Sequence, residues 1–530
     1  EQHNSMANNH LLARNLRAAG LLAACLTTAP LAAQFDYDLE KRTAARLGQN
    51  LVLDVANAPA TSFVLVIPSA TSGPTPLSLV DPVDPRVLAV GVELLGVMSV
   101  LITDATGNAS YSVALPNNPS ISGYELHWQT ASLLFGATLV GELSNDVVTL
   151  TGSPDTGVIA PNTLQFARAL SASLVDADNN NSAGDVLVTG GGAGTLTAAT
   201  GLASTERWDF RRMTVTAGPN MTTARALHST VRLNDGRVLL IGGADQLGTV
   251  LSSCEIYDPA SNSFTATGNM GTPRILHGAS ILADGRVMVA GGTSTLTPDV
   301  TAAITGTLQS AEIFNPATGT WSNTQNIGGR RLGPALTLLS TGQVMVSGGI
   351  AVTIFFGLPV AASSTTAVQL WTPASSSWSG GSSMSQGRAG HQYNQVTLND
   401  GRVLMTGGVN VPSLLSAATS APISGAEVYN PTTNSWQTVN MPTARALHSA
   451  TLLADGRVAT CGGAQGTLTT PTSIANVDVF NPTSNTWTSA PALTGARASH
   501  SANLMPDGTL VLFGGQGATM SLSSIETLRF

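Results

Sequence analysis

The sequence predicts an all-β protein: a seven-bladed β-propeller, a ring of seven four-stranded sheets, preceded by a small β-sandwich. Three observations carry this. A double glycine recurs at 190–191, 242–243, 291–292, 348–349, 407–408, 462–463 and 514–515, at intervals of 49 to 59 residues. An apolar run precedes each pair, as in "RVLLIGG", "RVMVAGG" and "TLVLFGG". In five repeats that run follows an Asp-Gly turn ("NDGR", "ADGR" or "PDGT"). Asp-Gly between two β runs marks a hairpin, because the tight turn needs residues that accept positive φ. A period near 50 residues is that of a propeller blade.

The elements follow in chain order. Residues 1–33 read as an export signal: Arg14 and Arg17 precede the apolar stretch "AAGLLAACLTTAPLAA", with cleavage expected after Ala33. The stretch is too short, and too broken by Pro30, to span a membrane. "LAAC" also fits a lipoprotein signal with Cys25 acylated. Both readings place the protein outside the cytoplasm: secreted, periplasmic or at the cell surface. Export permits disulfides, but only Cys254 and Cys461 remain, in different repeats; two buried thiols are expected.

Residues 35–145 lack the repeat and consist of β runs such as "NLVLDVANA", "SFVLVIP" and "YSVALP" between Pro, Gly and Asn turns. They read as the β-sandwich. Tyr111, Tyr124 and Trp128 are its core aromatics, or alternatively a carbohydrate platform. The propeller occupies 167–530. After each glycine pair comes a variable loop, then a strand and turn such as "CEIYDPASNSF" or "AEVYNPTTNSW". Closing aromatics fall at Trp208, Phe264, Trp321, Trp378, Trp436 and Trp487, six for seven glycine pairs. The last repeat stops at "SSIETLRF", after its third strand. An exposed sheet edge would result, so the linker 146–166 is expected to supply the closing strand.

These features resemble the kelch repeat: the double glycine, the acidic-x-aromatic strand, and a Trp six or seven residues beyond that aromatic. The resemblance covers about residue 155 to the C-terminus and implies a propeller whose blades crowd their glycines toward the centre. A more distant resemblance is to the galactose oxidase group, which also joins a β-sandwich to a kelch-like propeller. That chemistry implies copper held by two His and two Tyr, one Tyr crosslinked to Cys. No "YH" occurs here, and only Tyr393 stands beside a repeat histidine.

The polar residues repeat too. His228, His277, His391, His448 and His500 share one position on the first strand of five blades. Metal ligands must converge to about 2 Å from one ion, so a structural role is expected, an imidazole bonded to the neighbouring blade's backbone. Arg168, Arg225, Arg274, Arg330 or Arg331, Arg388, Arg445 and Arg497 precede the first strands. Matching acids stand on the third strands at Glu206, Glu255, Glu312, Glu427, Asp478 and Glu526, with Gln369 the exception. Arg–carboxylate ties are expected; alternatively Arg225, Arg274, Arg388, Arg445 and Arg497 form a cationic ligand ring. Blade one departs with "LVDADNNNSAGDVLVTGG", where Asp176, Asp178, Asn180 and Asp185 resemble the calcium loop of FG-GAP-type blades. Ca2+ is the one cofactor this suggests; a solvated turn is the other reading.

Charged residues are only 10% of the chain and the net charge is -8, which argues against nucleic acid. No nucleophile elbow, phosphate loop or HExxH is present. The expected function is therefore a non-enzymatic extracellular binding or scaffold protein. It would recognise a glycan or protein through the loops after each glycine pair: 244–253, 293–309, 350–366, 409–424, 464–475 and 516–523. The alternative is a galactose-oxidase-like copper radical oxidase or other extracellular carbohydrate-active enzyme.

Overall fold

The computed structural model describes residues 37–79, 84, 86–91, 93–134, 139–177, 183–193, 200–297, 304–356, 358–391, 394–467 and 469–530. The export-signal reading, Cys25 included, therefore lies outside the described residues.

Seven four-stranded antiparallel sheets follow one another. In blade two, Ser229–Arg232 pairs with Val238–Ile241, which pairs with Cys254–Asp258, which pairs with Ser263–Ala266. The Asp-Gly turn joins the first two strands, and all four residues of the second strand are buried. A strand that is covered on both faces reads as a continuous apolar run, which is why "VLLI" shows no alternation. The first strands of neighbouring blades lie side by side around the axis, and Ala172–Ala177 of blade one meets Ser501–Leu504 of blade seven.

The ring closes through backbone. The second glycine of each pair donates its N–H to the carbonyl of the arginine opening the next blade: Gly191 to Arg225, Gly243 to Arg274, Gly292 to Arg331, Gly349 to Arg388, Gly408 to Arg445, Gly463 to Arg497 and Gly515 to Arg168. These glycines need positive φ, and a Cβ on Gly463 would lie 2.8 Å from the Ala446 carbonyl oxygen. The last sheet takes its fourth strand from upstream. Val158–Ile159 pairs with Ile525–Arg529, the third strand of blade seven.

Aromatics stack between third and fourth strands, as in Tyr257–Phe264, Phe314–Trp321, Tyr429–Trp436 and Phe480–Trp487, with centroids 4.7–5.2 Å apart. One expectation is corrected here. Trp208 is a third-strand aromatic, equivalent to Tyr257, and its fourth-strand partner is Val215. The interval after Glu206 places Trp208 there, and blade one has no closing aromatic.

Before the propeller, Asp38–Lys41, Asn50–Ala56 and Ala109–Ala114 form one sheet. Val147–Leu150, Glu125–Leu133, Phe63–Ser69 and Ser99–Ile102 form a second. Trp128 is buried, donates Nε1–H to Thr149 Oγ1 at 3.0 Å, and packs on half-buried Tyr111; Tyr124 is exposed. This unit docks on the hairpin-turn end of blades one and seven. Ala44 N–H donates to Asp507 O, and Val148 N–H to Arg211 O. Lys41, the single lysine of the chain, is buried there over the Phe210 ring and donates to Val148 O. Burial lowers its pKa to about 8.

Candidate functional site

Each blade opens with an arginine followed by three residues at fixed positions, as in "RALH" at 225–228, and each position has a separate task. The arginine side chain ties its own blade. Arg225 donates Nη2–H to Glu255 Oε1 at 2.6 Å and Nη1–H to Gly242 O at 2.7 Å, and Glu255 also accepts the backbone N–H groups of Thr222 and Thr223. The pairs Arg168–Glu206, Arg274–Glu312, Arg388–Glu427, Arg445–Asp478 and Arg497–Glu526 repeat this. All six arginines are buried. None of the five proposed as a cationic ring, Arg225, Arg274, Arg388, Arg445 and Arg497, lines the axial cavity described below.

Removing one partner of such a tie strands a buried charge. Arg445→Ala should cost about 3–5 kcal/mol, and Arg445→Met with Asp478→Leu should recover most of it. Arg237→Ala, which breaks a half-exposed turn pair with Asp235, should stay within about 1 kcal/mol. Thermal unfolding checks all three. Blade four supplies the converse. Arg331 donates to Gly348 O and Ala367 O, its blade carries Gln369 where the others carry an acid, and burial lowers its pKa to about 10. Gln369→Glu should therefore raise stability by about 1–3 kcal/mol.

Two residues after each arginine the backbone turns left-handed. Leu170, Leu227, Leu276, Leu447 and Ser499 have φ between 50° and 57°, with Gly333 and Gly390 in the other two blades. Leucine is strained there. The turn directs the next residue, the repeat histidine, inward to the axis.

The histidines correct the expectation of a backbone acceptor. Their partners are hydroxyls, mostly on the residue before the glycine pair of the preceding blade. His228 Nε2 bonds Thr189 Oγ1 at 3.1 Å, His391 Nε2 bonds Ser347 Oγ at 3.3 Å, and His448 Nε2 bonds Thr406 Oγ1 at 2.8 Å. Asn394 donates Nδ2–H to His448 Nδ1. Before His500 that position is Cys461, and the ring bonds Ser449 Oγ instead, at 2.9 Å. All five rings are buried. Burial, reinforced by the preceding arginine, lowers His228, His277, His391 and His500 to about 3 and His448 well below its ordinary value. They are neutral imidazoles.

Four of them, His228, His277, His448 and His500, line a cavity of about 320 Å³ on the axis, with Asn394 and the hydroxyls of Ser171, Ser229, Ser449, Ser499 and Ser501. No ionised side chain contributes to the described lining. Residues of this wall also hold polar atoms without a hydrogen bond, Ser171 Oγ, Ser499 Oγ, Ser501 Oγ, His228 Nδ1, His500 Nδ1 and both ring nitrogens of His277, all buried behind the cavity surface. The variable loops stand at the same end, since bridges such as Ala226–Ala244, Ala389–Val409 and Ala446–Ala464 join them to the segments entering the first strands. The loop 350–366 folds into the hairpin Ile350–Phe355 with Leu358–Ser364, exposing Phe355 and Phe356 at its tip.

The calcium reading is only partly visible. Asp178 and Asn180, and the side chain of Asp176, lie outside the described residues. Asp185 accepts the Phe210 N–H at 3.2 Å and lies 3.7 Å from Arg207 Nη1. Cys254 and Cys461 are free, buried thiols whose pKa values rise by burial to about 11 and about 12. No described helix is long and apolar enough to cross a membrane. Sequence reading placed the histidines on one position. It missed Asn394, which no repeat marks, and the serines, whose signal was "HS" at 228–229, 448–449 and 500–501.

No protein-family model and no curated protein matches the chain. Among solved structures it is similar to a fungal alcohol oxidase of the AA5 family in complex with copper. The TM-score is 0.53 at 17% identity, covering 70% of this chain and 76% of that one. The likeness is one of fold, an all-β propeller.

Proposed function

We propose that this chain is a kelch-type extracellular propeller that takes a neutral, hydroxyl-bearing ligand of the sugar or alcohol class into its axial cavity. One observation carries the reading: the axial cavity is lined by imidazole, hydroxyl and amide side chains, with no ionised side chain in the described lining. Neutral imidazoles and serines bring no net charge to draw in an ion, and both donate to and accept from hydroxyl groups. The volume lies at the small end of ligand pockets, roughly 300–1,000 Å³, which suits one sugar ring. The rim loops would then select what enters.

The second reading is alcohol oxidation. The fold neighbour is a copper alcohol oxidase, which agrees with an enzyme better than with a non-enzymatic binder. The described residues do not by themselves fit a centre of two His and two Tyr. The cavity wall holds no described tyrosine, and Tyr393 lies outside the described residues. Among described residues no three of His, Cys, Asp and Glu are placed to hold one metal ion. Neither thiol lies in the lining.

The test is calorimetric titration with glycerol, xylose, glucose and galactose, followed by peroxide assay of the same mixtures with copper and oxygen. Binding without peroxide supports capture alone, and peroxide moves the assignment to oxidation. No binding and no turnover overturns the cavity reading.

A further inference from the structure

The hairpin that rises from blade four departs from local rules at its tip. Phe355 pairs with Leu358, so Phe356 opens the turn between them. Its φ is 48°, in the left-handed region where a two-residue hairpin turn ordinarily carries Asn, Asp or Gly. Phenylalanine is strained there, and Phe356 is also 90% exposed. Its ring packs on that of Phe355, centroids 4.4 Å apart, but Phe355 is itself exposed. Neither the strain nor the exposure is offset by burial within the chain.

The base of the hairpin is firmly held. Ile350, Val352 and Ala362 are buried with Val409, Val411 and Ala417 of the next loop, and Ser364 N–H donates to Val411 O. Leu358 and Val360 are exposed above this base, as is Leu415 on the helical turn Leu414–Thr419 packed against the hairpin's second strand. No charged residue occurs in 350–366 or 409–424, and the six rim loops together hold two, Asp245 and Asp299. The opposite end of the ring carries an ion pair at each of four Asp-Gly turns: Arg237–Asp235, Arg286–Asp284, Arg402–Asp400 and Arg457–Asp455. Charge is sorted to one end, and an apolar crest projects from the other.

We propose that this crest is a lipid-docking surface, which inserts Phe355 and Phe356 into the interface of an electrically neutral bilayer. The inference goes beyond the cavity reading and does not depend on it. Exposed apolar patches mark contacts with protein or membrane. A protein interface surrounds its apolar centre with a polar rim, whereas a bilayer interior is costly for charge, and the crest carries none. With no cation in the crest loops, nothing there draws in anionic headgroups, so the fitting surface is zwitterionic. Affinity then follows the apolar area that enters the lipid.

Flotation of the full chain with phosphatidylcholine vesicles tests this. Phe356→Asn gives the turn its favoured residue, so it should keep or raise the melting temperature. It should nonetheless weaken vesicle binding about tenfold, the loss expected for one large apolar side chain. Adding Phe355→Ser should weaken binding about tenfold again. Ile102→Ser removes a similarly exposed apolar residue from the preceding sandwich and should bind as the native protein does. Adding phosphatidylserine to the vesicles should change native binding less than about twofold. With brominated phosphatidylcholine, Phe356→Trp should show quenching beyond that of the native tryptophans, which reads entry of the crest itself. Native-level binding by the double variant, or no added quenching with Phe356→Trp, overturns the proposal. Failure of the native protein to float overturns it as well. Self-association in vesicle-free solution that the double variant abolishes overturns it in favour of a second copy of the chain.

Discussion

Deleting residues through 166 should collapse the cooperative melt of the propeller, whereas deletion through 145 should leave it folded and only moderately weakened. The longer deletion removes Val158–Ile159, the fourth strand of blade seven, and uncovers the edge of Ile525–Arg529. It also removes Val148, Leu150, Ala160 and Leu164, four buried side chains packed with Trp208, Phe513 and Ile525. At about 1.5–3 kcal/mol for each large buried side chain, most of the stability of a domain, about 5–15 kcal/mol, is at stake. The shorter deletion keeps those residues and loses the docked sheets, with Lys41 and the Arg211–Glu40 pair. Thermal unfolding followed by circular dichroism separates the two, and identical curves would sink the closure argument.

Acidification should be nearly as damaging. The native pKa values of His228, His277, His391 and His500 are about 3 because burial, then the adjacent Arg225, Arg274, Arg388 and Arg497, disfavours the imidazolium. In the unfolded chain they titrate near the ordinary value of about 6.5. The unfolded state therefore binds protons first, so stability is complete above about pH 6.5 and falls as the pH drops toward 3. One such ring costs about 2 kcal/mol at pH 5, and four together approach the stability of a whole domain. The melting temperature should fall steeply between pH 7 and pH 5. His391→Phe, whose ring lies away from the cavity, should flatten part of that slope. A melting temperature independent of pH over this interval would show that the rings are not held neutral.

The same residues show how far sequence reading reaches. The double glycine, Asp-Gly turn and apolar run are local, so each blade was legible from its own 50 residues, and so was the need for a borrowed strand. The Arg–acid stoichiometry was legible because nearly every blade repeats both members, and a chain with so few charges does not repeat them without use. Trp208 was misplaced because an aromatic beyond a glycine pair looks alike on a third or a fourth strand. Its place two residues after Glu206 and its pairing with Val186 and Val215 assign it to the third.

The sequence by itself determined the blade, the count of seven and the inward line of histidines, because these follow from residue types at short, repeated spacings. Tertiary structure alone decided which histidine is free. For His228, His391 and His448 the partner is the last residue of a strand in the preceding blade, 39 to 44 positions upstream, and it becomes a neighbour only when blades pack around the axis. Ile241 reads as one more core residue in "RVLLIGG". It stands at the position that carries Thr189, Ser347 and Thr406 in other blades, has no hydroxyl, and the buried His277 of the next blade has neither ring nitrogen hydrogen-bonded.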